Sequence, residues 1–254
     1  MIIKRREESK LCAQKLSWKF QKEGLKISVR TIGKIIKDEG LTRKYRAKRI
    51  KYKYIKTERR PGELIEIDVK YIPGRIKNRR YYQYTAIDVA SRWRYLRIFE
   101  EQSNHHSVIF LEDVIHKFKH KIELVKTDNG AVFTNRYSGT YRREDLSPRK
   151  LHAFDLCCAK HNITHYLIDS GKPAQNGTIE RSHREDQEKF YDMNKFKSVQ
   201  DLQRKIGIWN TKYNNLEHCG LNGKTPLEFL SDYELSRTIN YKLIKSDKPT
   251  NVRA

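Results

Sequence analysis

The sequence feature that most constrains the fold is a succession of three β-rich segments directly after Pro61 and Gly62. Residues 64–69, 81–89 and 93–99 are rich in Ile, Val, Tyr, Phe and Thr, and turn-forming residues separate them. Short runs of this composition between turns are typical of strands. We therefore expect three consecutive antiparallel strands.

Helical and strand patterns alternate after the third segment. The expected elements are a helix at 105–120, a strand at 122–127, a helix at 152–161, a strand at 164–168 and a helix from residue 178 onwards. This order predicts an α/β domain in which helices pack on a mixed sheet of five strands.

The first 41 residues carry a helix-turn-helix pattern. Apolar residues recur at helical spacing in two stretches, Gly24 separates them, Ser28 can cap the second helix and Gly40 can end it. A helix in this arrangement can enter a groove of DNA, whereas the alternative is a plain helical hairpin that packs on the main domain. The residues expected to face outward from the second helix and to contact DNA are Arg30, Thr31, Lys34 and Lys37.

The charge balance indicates a polyanionic partner. The chain has 54 Lys and Arg against 31 Asp and Glu, a formal net charge of +23. Residues 42–60 alone hold ten Lys or Arg and the single acid Glu58. Such a segment repels itself unless phosphates neutralise it, although a charge run can also be a solvated face. We expect a basic arm at 42–60 that contacts the DNA backbone and contributes affinity rather than sequence specificity.

Neither a membrane anchor nor a disulfide framework fits the sequence. No apolar run approaches the roughly 18 residues of a membrane span, and we expect a cytoplasmic, DNA-associated protein. The cysteines Cys12, Cys157, Cys158 and Cys219 match no disulfide or metal motif, and we expect them to be reduced and buried. A zinc site could draw on His and Cys residues within 152–165, but adjacent cysteines on a helix point about 100° apart, which argues against one.

Three acids occupy positions where a carboxylate can hold a metal. Asp68 shares one face of the first expected strand with Glu66, Asp128 closes the fourth strand, and Glu180 begins the helix after a glycine-rich loop. Singly, they can be explained as a surface acid, a turn former and a helix N-terminal charge. Together they offer the oxygen ligands that Mg²⁺ or Mn²⁺ prefers and leave positions for phosphate oxygens and water. Two-metal phosphodiester chemistry uses such a set.

Ordered motifs around these acids carry a family resemblance. They are LIEID at 64–68, TAIDVASR at 85–92, TDNGAVF at 127–133, PAQNGTIERSHR at 173–184 and GKTPLEFL at 223–230. In this order they resemble the catalytic core of the DDE transposase and retroviral-type integrase superfamily, in particular of bacterial insertion-sequence transposases.

The resemblance implies a ribonuclease H-like fold in which Asp68, Asp128 and Glu180 are the catalytic residues and bind two Mg²⁺ or Mn²⁺ ions. It implies cleavage of DNA ends followed by strand transfer into target DNA. Because joining requires two ends, we expect a homo-oligomer. The expected domains are a helix-turn-helix segment at 1–41, the basic arm at 42–60, the core at 61–230 and a basic C-terminal tail at 231–254.

The chain departs from the family pattern in two places, and the resemblance implies a structural rather than a catalytic role for one further acid. The interval between Asp128 and Glu180 contains 51 residues, more than is common in the family. We expect the polar segment 134–149 to be an inserted loop that absorbs the excess. Relatives often carry more helical sequence at the N-terminus. Asp88 lies in a matching segment, but the role that the resemblance implies for it is structural.

Six further residues are candidates for substrate contact. Helical spacing places three of them on the face of Glu180, where they would point at the DNA end, although an ion pair between Glu180 and Arg184 is an alternative. The other three belong to the preceding loop. The candidates are His183, Arg184 and Gln187 on the helix and Lys172, Gln175 and Asn176 in the loop.

Two other functions remain compatible with the sequence. A transposase-derived protein could bind DNA without catalysis, using only its N-terminal helices and arm. A ribonuclease H-like nuclease could cut DNA without joining it. Retention of all three acids argues against the first alternative, and the GKTP tail motif argues against the second.

Overall fold

The structure, a computed structural model, describes residues 1–42, 58–135 and 151–246, with side chains to residue 238. The main part of the predicted basic arm, residues 43–57, lies outside the described residues. So do residues 136–149 of the predicted insertion and the end of the predicted C-terminal tail. The division into domains therefore remains a prediction.

Three helices form the N-terminal unit: α1 (Ile2–Ser9), α2 (Ala13–Lys22) and α3 (Val29–Asp38). The helix-turn-helix prediction is confirmed in α2 and α3. The hydroxyl of Ser28 caps α3 by accepting from the backbone N–H of Thr31 at 3.0 Å. Helix α1 has no apolar periodicity that predicts it from the sequence. The buried guanidinium of Arg6 holds this charged helix in place by donating to the carbonyls of Leu11 and Leu41.

The sheet confirms the predicted mixed arrangement of five strands. Its strands are β1 (Ile65–Tyr71), β2 (Tyr82–Asp88), β3 (Arg94–Phe99), β4 (Leu124–Thr127) and β5 (Thr164–Leu167). The spatial order is β3-β2-β1-β4-β5, in which the first three strands are antiparallel and β4 and β5 run parallel to β1. Consequently β1 is central, and the carboxyl end of β4 lies beside the middle of β1.

Five helices complete the fold: α4 (Asn104–Lys117), α5 (Ala153–Lys160), α6 (Gly177–Asp186), α7 (Val199–Asn214) and α8 (Pro226–Ser246). Ile65 and Ile67 of β1 pack with Phe110 and Leu111 of α4 in the main core, so the alternate residues of β1 are left for the other face of the sheet. A π-helical turn, Gln187–Tyr191, continues α6. Within the described residues, no helix combines the length and apolar character that crossing a bilayer requires.

The expectation of four buried cysteines is half right. Cys157 and Cys158 are buried in the core, but Cys12 and Cys219 are exposed, with their sulfur atoms 3.8 Å apart. All four are free thiols, as predicted. The exposed pair is brought together by the docking of the N-terminal unit on the core, which sequence spacing does not reveal.

A buried ion pair fastens α6 to the sheet. Arg94 of β3 donates to Asp186 of α6 at 2.7 Å, and both side chains are fully buried. Asp186 also accepts from Gln83 of β2 and from the indole N–H of Trp209 of α7, each at 2.7 Å. The guanidinium of Arg94 lies 3.6 Å from the ring centroid of Tyr213. Two strands and two helices therefore meet at one carboxylate.

Removing one partner of this pair should destabilise the protein more than removing both. Asp186→Leu leaves the buried Arg94 charge unpaired and should lower the free energy of unfolding by about 3–5 kcal/mol. Adding Arg94→Met to that variant should recover part of the loss, because apolar groups replace both charges. Urea unfolding followed by circular dichroism measures both variants.

An exposed pair supplies the control. Arg79 and Glu100 lie 3.9 Å apart with more than half of each side chain exposed, so Glu100→Gln should change stability by less than about 1 kcal/mol. If the free energy of unfolding lost in the double variant equalled the sum of the losses in Arg94→Met and Asp186→Leu alone, the two side chains would not be energetically coupled.

Candidate active site

The first candidate carboxylate, Asp68, lies in the middle of β1 on the face opposite the main core. Its side chain is 23% exposed, and Oδ1 accepts from the backbone N–H of Val69 at 2.8 Å. Thr85 is its partner residue on β2. The strand thus presents Asp68 rigidly, and the carboxylate retains some access to solvent.

The second carboxylate, Asp128, follows β4 directly. Its Oδ1 accepts from the backbone N–H of Gly130 at 3.0 Å, which closes a tight turn. A Cβ at position 130 would lie 3.0 Å from that same oxygen, so glycine keeps the space beside the carboxylate open. The side-chain amide of Asn129 donates to the carbonyl of Ile168 at 2.9 Å and ties the turn to the end of β5.

The third carboxylate, Glu180, lies in the first turn of α6 and is exposed. The buried acid Glu66 of β1 fixes this end of the helix, because its Oε2 accepts from the backbone N–H of Ile179 at 2.9 Å. Lys126 of β4 lies 3.0 Å from the other oxygen of Glu66 and donates to the carbonyl of Gln175. One acid and one lysine therefore hold β1, β4 and the start of α6 in register.

Electrostatics link the three acids. The pKa of Asp68 is raised from its ordinary value of 3.8 to about 7, first by burial and then by the charge of Asp128, with smaller contributions from Glu180 and Glu66. The pKa of Glu180 is also raised, by partial burial and by Glu66, while Arg184 acts in the opposite direction. Among the described residues no ion pair joins Glu180 to Arg184, so that predicted alternative is not formed.

His183 is enclosed between the sheet and α6 rather than directed at solvent. Its Nε2 lies 3.0 Å from the hydroxyl of Thr85, and its Nδ1 lies 3.5 Å from Oδ2 of Asp68. Burial lowers its pKa to about 3, so the ring is neutral near pH 7 and its contact with Asp68 is not an ion pair. The predicted DNA contact remains untested, and in this geometry His183 positions Asp68. Arg184 is exposed and Gln187 is half-buried.

The loop residues proposed for substrate contact divide into two groups. Lys172 and Gln175 are exposed, and both bind the carboxylate of Asp169. Asn176 is only 4% exposed, and its Oδ1 has no hydrogen-bond partner in the described structure. Its burial leaves the predicted DNA contact of Asn176 without geometric support.

A cavity of about 1220 Å³ lies along the other face of α6. Thr178, Arg181 and Glu185 line it from the helix, whereas Glu180 does not. The cations around the cavity are Lys15, Arg59, Arg92, Lys126, Lys172 and Arg181. The residues predicted for DNA contact on α3, namely Arg30, Thr31, Lys34 and Lys37, are all exposed as expected.

Asp88 is structural in the fold, in agreement with its interpretation from the sequence. It is completely buried, and its carboxylate accepts from the backbone N–H of Gly62 at 3.0 Å and from the N–H and hydroxyl of Ser91 at 2.7 and 2.6 Å. These bonds close the turn between β2 and β3 and anchor the start of β1. Because Asp88 is buried and three donors already bind its carboxylate, a substrate does not reach it.

Two residues of the site were missed by sequence reasoning. Glu66 had a signal, since strand alternation places it on the same face as Asp68. Lys126 had none, because a lysine near the end of a short strand is ordinary in so basic a chain, and only the parallel pairing of β1 with β4 brings it to Glu66.

The amino-acid sequence of this chain matches two models of known protein families. One family model, described as "Integrase core domain", matches residues 58–173, and a second with the same description matches residues 161–226. Together the matches span the sheet and all three carboxylates. The chain belongs to the integrase core family.

Individual relatives of this chain are distant. The chain is 27% identical over 134 residues to an uncharacterized 39.2 kDa protein of insertion element IS476 from Xanthomonas euvesicatoria, covering 52% of this chain and only 34% of that protein. The integrase catalytic core of BIV is 17% identical with a TM-score of 0.47, covering 71% of this chain and 99% of that chain. The HTLV-2 integrase core in complex with magnesium is 16% identical with a TM-score of 0.45, covering 66% and 95%.

The donor set of this integrase core suits a hard divalent cation. The candidate ligands are carboxylates. Burial and the negative charge of Asp128 raise the pKa of Asp68, and a bound cation would neutralise that negative charge. Their oxygen atoms do not all fall within 4.8 Å of one another in the described structure.

The raised pKa of Asp68 predicts a pH dependence of stability in metal-free buffer. Because the folded protein holds this proton more tightly than the unfolded chain, its contribution to stability is complete below pH 4 and is lost as the pH rises through about 7. Asp68→Asn abolishes the titration. The variant should therefore gain about 2–4 kcal/mol relative to the wild type between pH 4 and pH 8.

Urea unfolding at several pH values in the presence of EDTA measures this difference. Glu100→Gln, at a well-exposed position, is the matched control and should run parallel to the wild type. A constant difference between Asp68→Asn and the wild type at all pH values would contradict the electrostatic coupling.

Proposed function

We propose that this protein is a transposase that cleaves the ends of a mobile DNA element and joins them to target DNA in a metal-dependent reaction. The observation that supports the proposal is the raised pKa of Asp68 on β1, to which burial and the charges of Asp128, after β4, and Glu180, at the start of α6, contribute. Similarity to an insertion-element protein is consistent with it.

Each acid has a defined part in this proposal. Asp68, Asp128 and Glu180 would hold two Mg²⁺ or Mn²⁺ ions. When bound, the ions supply Lewis-acid stabilisation of the attacking and leaving oxygens during in-line displacement at phosphorus. Water attacks in the cleavage step, and the freed 3′-OH attacks target DNA in the joining step. The turn at Gly130 and the bond from Glu66 to the start of α6 keep the carboxylates in place before DNA arrives.

Basic residues outside the carboxylate site could contact DNA. The exposed cations Lys172 and Arg181, beside the cavity on the other face of α6, can neutralise backbone phosphates, which gives affinity independent of sequence. The exposed face of α3 is the candidate for groove contact, and Arg184 can reach a DNA end near Glu180. Because two ends must be joined together, the active form would be an oligomer of this chain.

Loss of one carboxylate should remove the chemistry and spare the binding. Asp68→Asn should reduce Mg²⁺-dependent nicking and joining of element-end DNA by about a thousandfold or more, because metal ions contribute several kcal/mol to the transition state and about 1.4 kcal/mol is tenfold in rate. Gel assays with end-labelled duplexes measure both steps, and fluorescence anisotropy measures binding.

Glu100→Gln controls for the loss of a surface carboxylate and should keep full activity. Undiminished cleavage by Asp68→Asn would contradict the proposal. If the wild type binds DNA but neither cuts it nor binds Mg²⁺ in calorimetry, the chain is a non-catalytic DNA-binding protein. If it cuts but fails to join a precut end, it is a nuclease.

The α3 face should contribute to DNA binding through phosphates. Lys34→Ala should weaken binding to all sequences and reduce the slope of log affinity against log salt by about 1. The matched control is Lys212→Ala, at an exposed position on α7. Equal salt slopes for the wild type and Lys34→Ala would remove α3 from the interface.

A further inference from the structure

A second group of metal-ligand side chains lies between α4 and α5. It consists of Glu112 on α4, Cys157 on α5 and His161 at the end of α5, and one ligand atom from each lies within 4.8 Å of the others. None of the three belongs to the carboxylate site, and neither the motifs nor the proposed reaction uses them. They call for an explanation of their own.

The local geometry of the group is that of a small tetrahedral site. Cys157 and His161 are four residues apart, so the helix places them on one face. Nε2 of His161 lies 2.9 Å from Oε2 of Glu112, and the sulfur of Cys157 lies 3.7 Å from Oε1. In a tetrahedral zinc site, bond lengths of about 2.0–2.3 Å place the ligand atoms roughly 3.3–3.8 Å apart. Small rotations of the side chains would bring all three to those distances.

One ligand atom of the group is unsatisfied without a cation. Nε2 of His161 is buried and has no aligned hydrogen-bond partner in the described structure, in spite of its contact with Glu112. The buried thiol of Cys157 donates only a long hydrogen bond to Glu112, at 3.7 Å. A metal ion would accept a lone pair from Nε2 of His161 and would replace the proton of the thiol.

One competitor for Glu112 is present in the described structure. The ammonium of Lys160 lies 2.9 Å from Oε1 of Glu112, but this side chain is 69% exposed and can turn into water. An exposed ion pair of this kind contributes little stability, whereas metal binding contributes several kcal/mol. A cation can therefore displace Lys160 at small cost.

The donor types select the metal. Thiolate and imidazole favour Zn²⁺ over Mg²⁺, which prefers oxygen ligands only. We propose that Glu112, Cys157 and His161 form a zinc site that joins α4 to α5, with a water molecule as the fourth ligand. Binding displaces the thiol proton of Cys157 to the buffer. The adjacent Cys158 points into the core and takes no part, so the site needs only one cysteine of the pair.

The site would brace one edge of the sheet. α5 leads directly into β5, and β5 pairs with β4, the strand that ends at Asp128. A zinc ion at this position would hold α5 on α4.

Cobalt substitution tests the site on the full-length protein, because thiolate-bound Co²⁺ has a charge-transfer band in the near ultraviolet and tetrahedral Co²⁺ absorbs strongly in the visible. Metal-free protein titrated with Co²⁺ should show both signals, saturate at one equivalent and lose them on addition of Zn²⁺ but not of Mg²⁺. Cys157→Ala should abolish the charge-transfer band. His161→Gln and Glu112→Gln should each weaken Co²⁺ binding by at least about tenfold, since changes behind the ligands alone cost about 10–100-fold.

Three variants serve as controls. Cys158→Ala removes the neighbouring buried thiol and should keep the band, and Cys12→Ser should keep it because the exposed thiols are not ligands. Asp128→Asn should also keep it, which separates this site from the proposed catalytic one. Circular dichroism checks that each variant is folded, and the half-buried His161 provides a test if Cys157→Ala unfolds. Absence of the band in the wild type, its persistence in Cys157→Ala, or its loss in Cys12→Ser would overturn the proposal.

Discussion

The buried ion pair between Arg94 and Asp186 is the interaction on which the placement of α6 depends. It is costly to bury two charges, and here Gln83 and Trp209 add hydrogen bonds to the carboxylate while an aromatic ring covers the guanidinium. The arrangement is directional, unlike apolar packing, so it fixes the rotation and height of α6 on the sheet. Glu180 lies almost two turns earlier on the same helix, and its position follows from this anchor.

The other end of α6 is held by a separate polar contact. Glu66 accepts from the backbone at the start of the helix and binds Lys126, so the charge of this buried acid is balanced locally. By contrast, no cation among the described residues lies comparably close to Asp68, and burial together with Asp128 raises its pKa. The fold thus compensates one acid of β1 and leaves the next one uncompensated. An uncompensated carboxylate of this kind is expected at a site that binds a cation.

Much of the fold could be predicted because its signals are local. Strand composition, helical periodicity and the capping residue Ser28 act over a few positions, and the predicted elements lie within a few residues of the observed ones. The failures involve contacts that are distant in sequence. α1 is secured by Arg6 binding the carbonyl of Leu41, and the exposure of Cys12 and Cys219 depends on how the N-terminal unit docks. Likewise, nothing local distinguishes Asp186 from other acids on a polar helix.

The sequence by itself determined the order of elements and the strongly positive net charge, since these rest on short patterns and on composition, and the family resemblance of its motifs supplied the candidate carboxylates and the structural role expected of Asp88. Only the tertiary structure decided which neighbours those carboxylates have. Parallel pairing of β1 with β4 brings Lys126 to Glu66, α6 encloses His183 against Asp68, and α4 meets α5 at Glu112, Cys157 and His161. The physical reason is that burial, repulsion and metal-ligand geometry depend on distances of a few ångströms between residues far apart in the sequence, and no local pattern encodes those distances. Glu66 and Ile179, for example, are 113 positions apart.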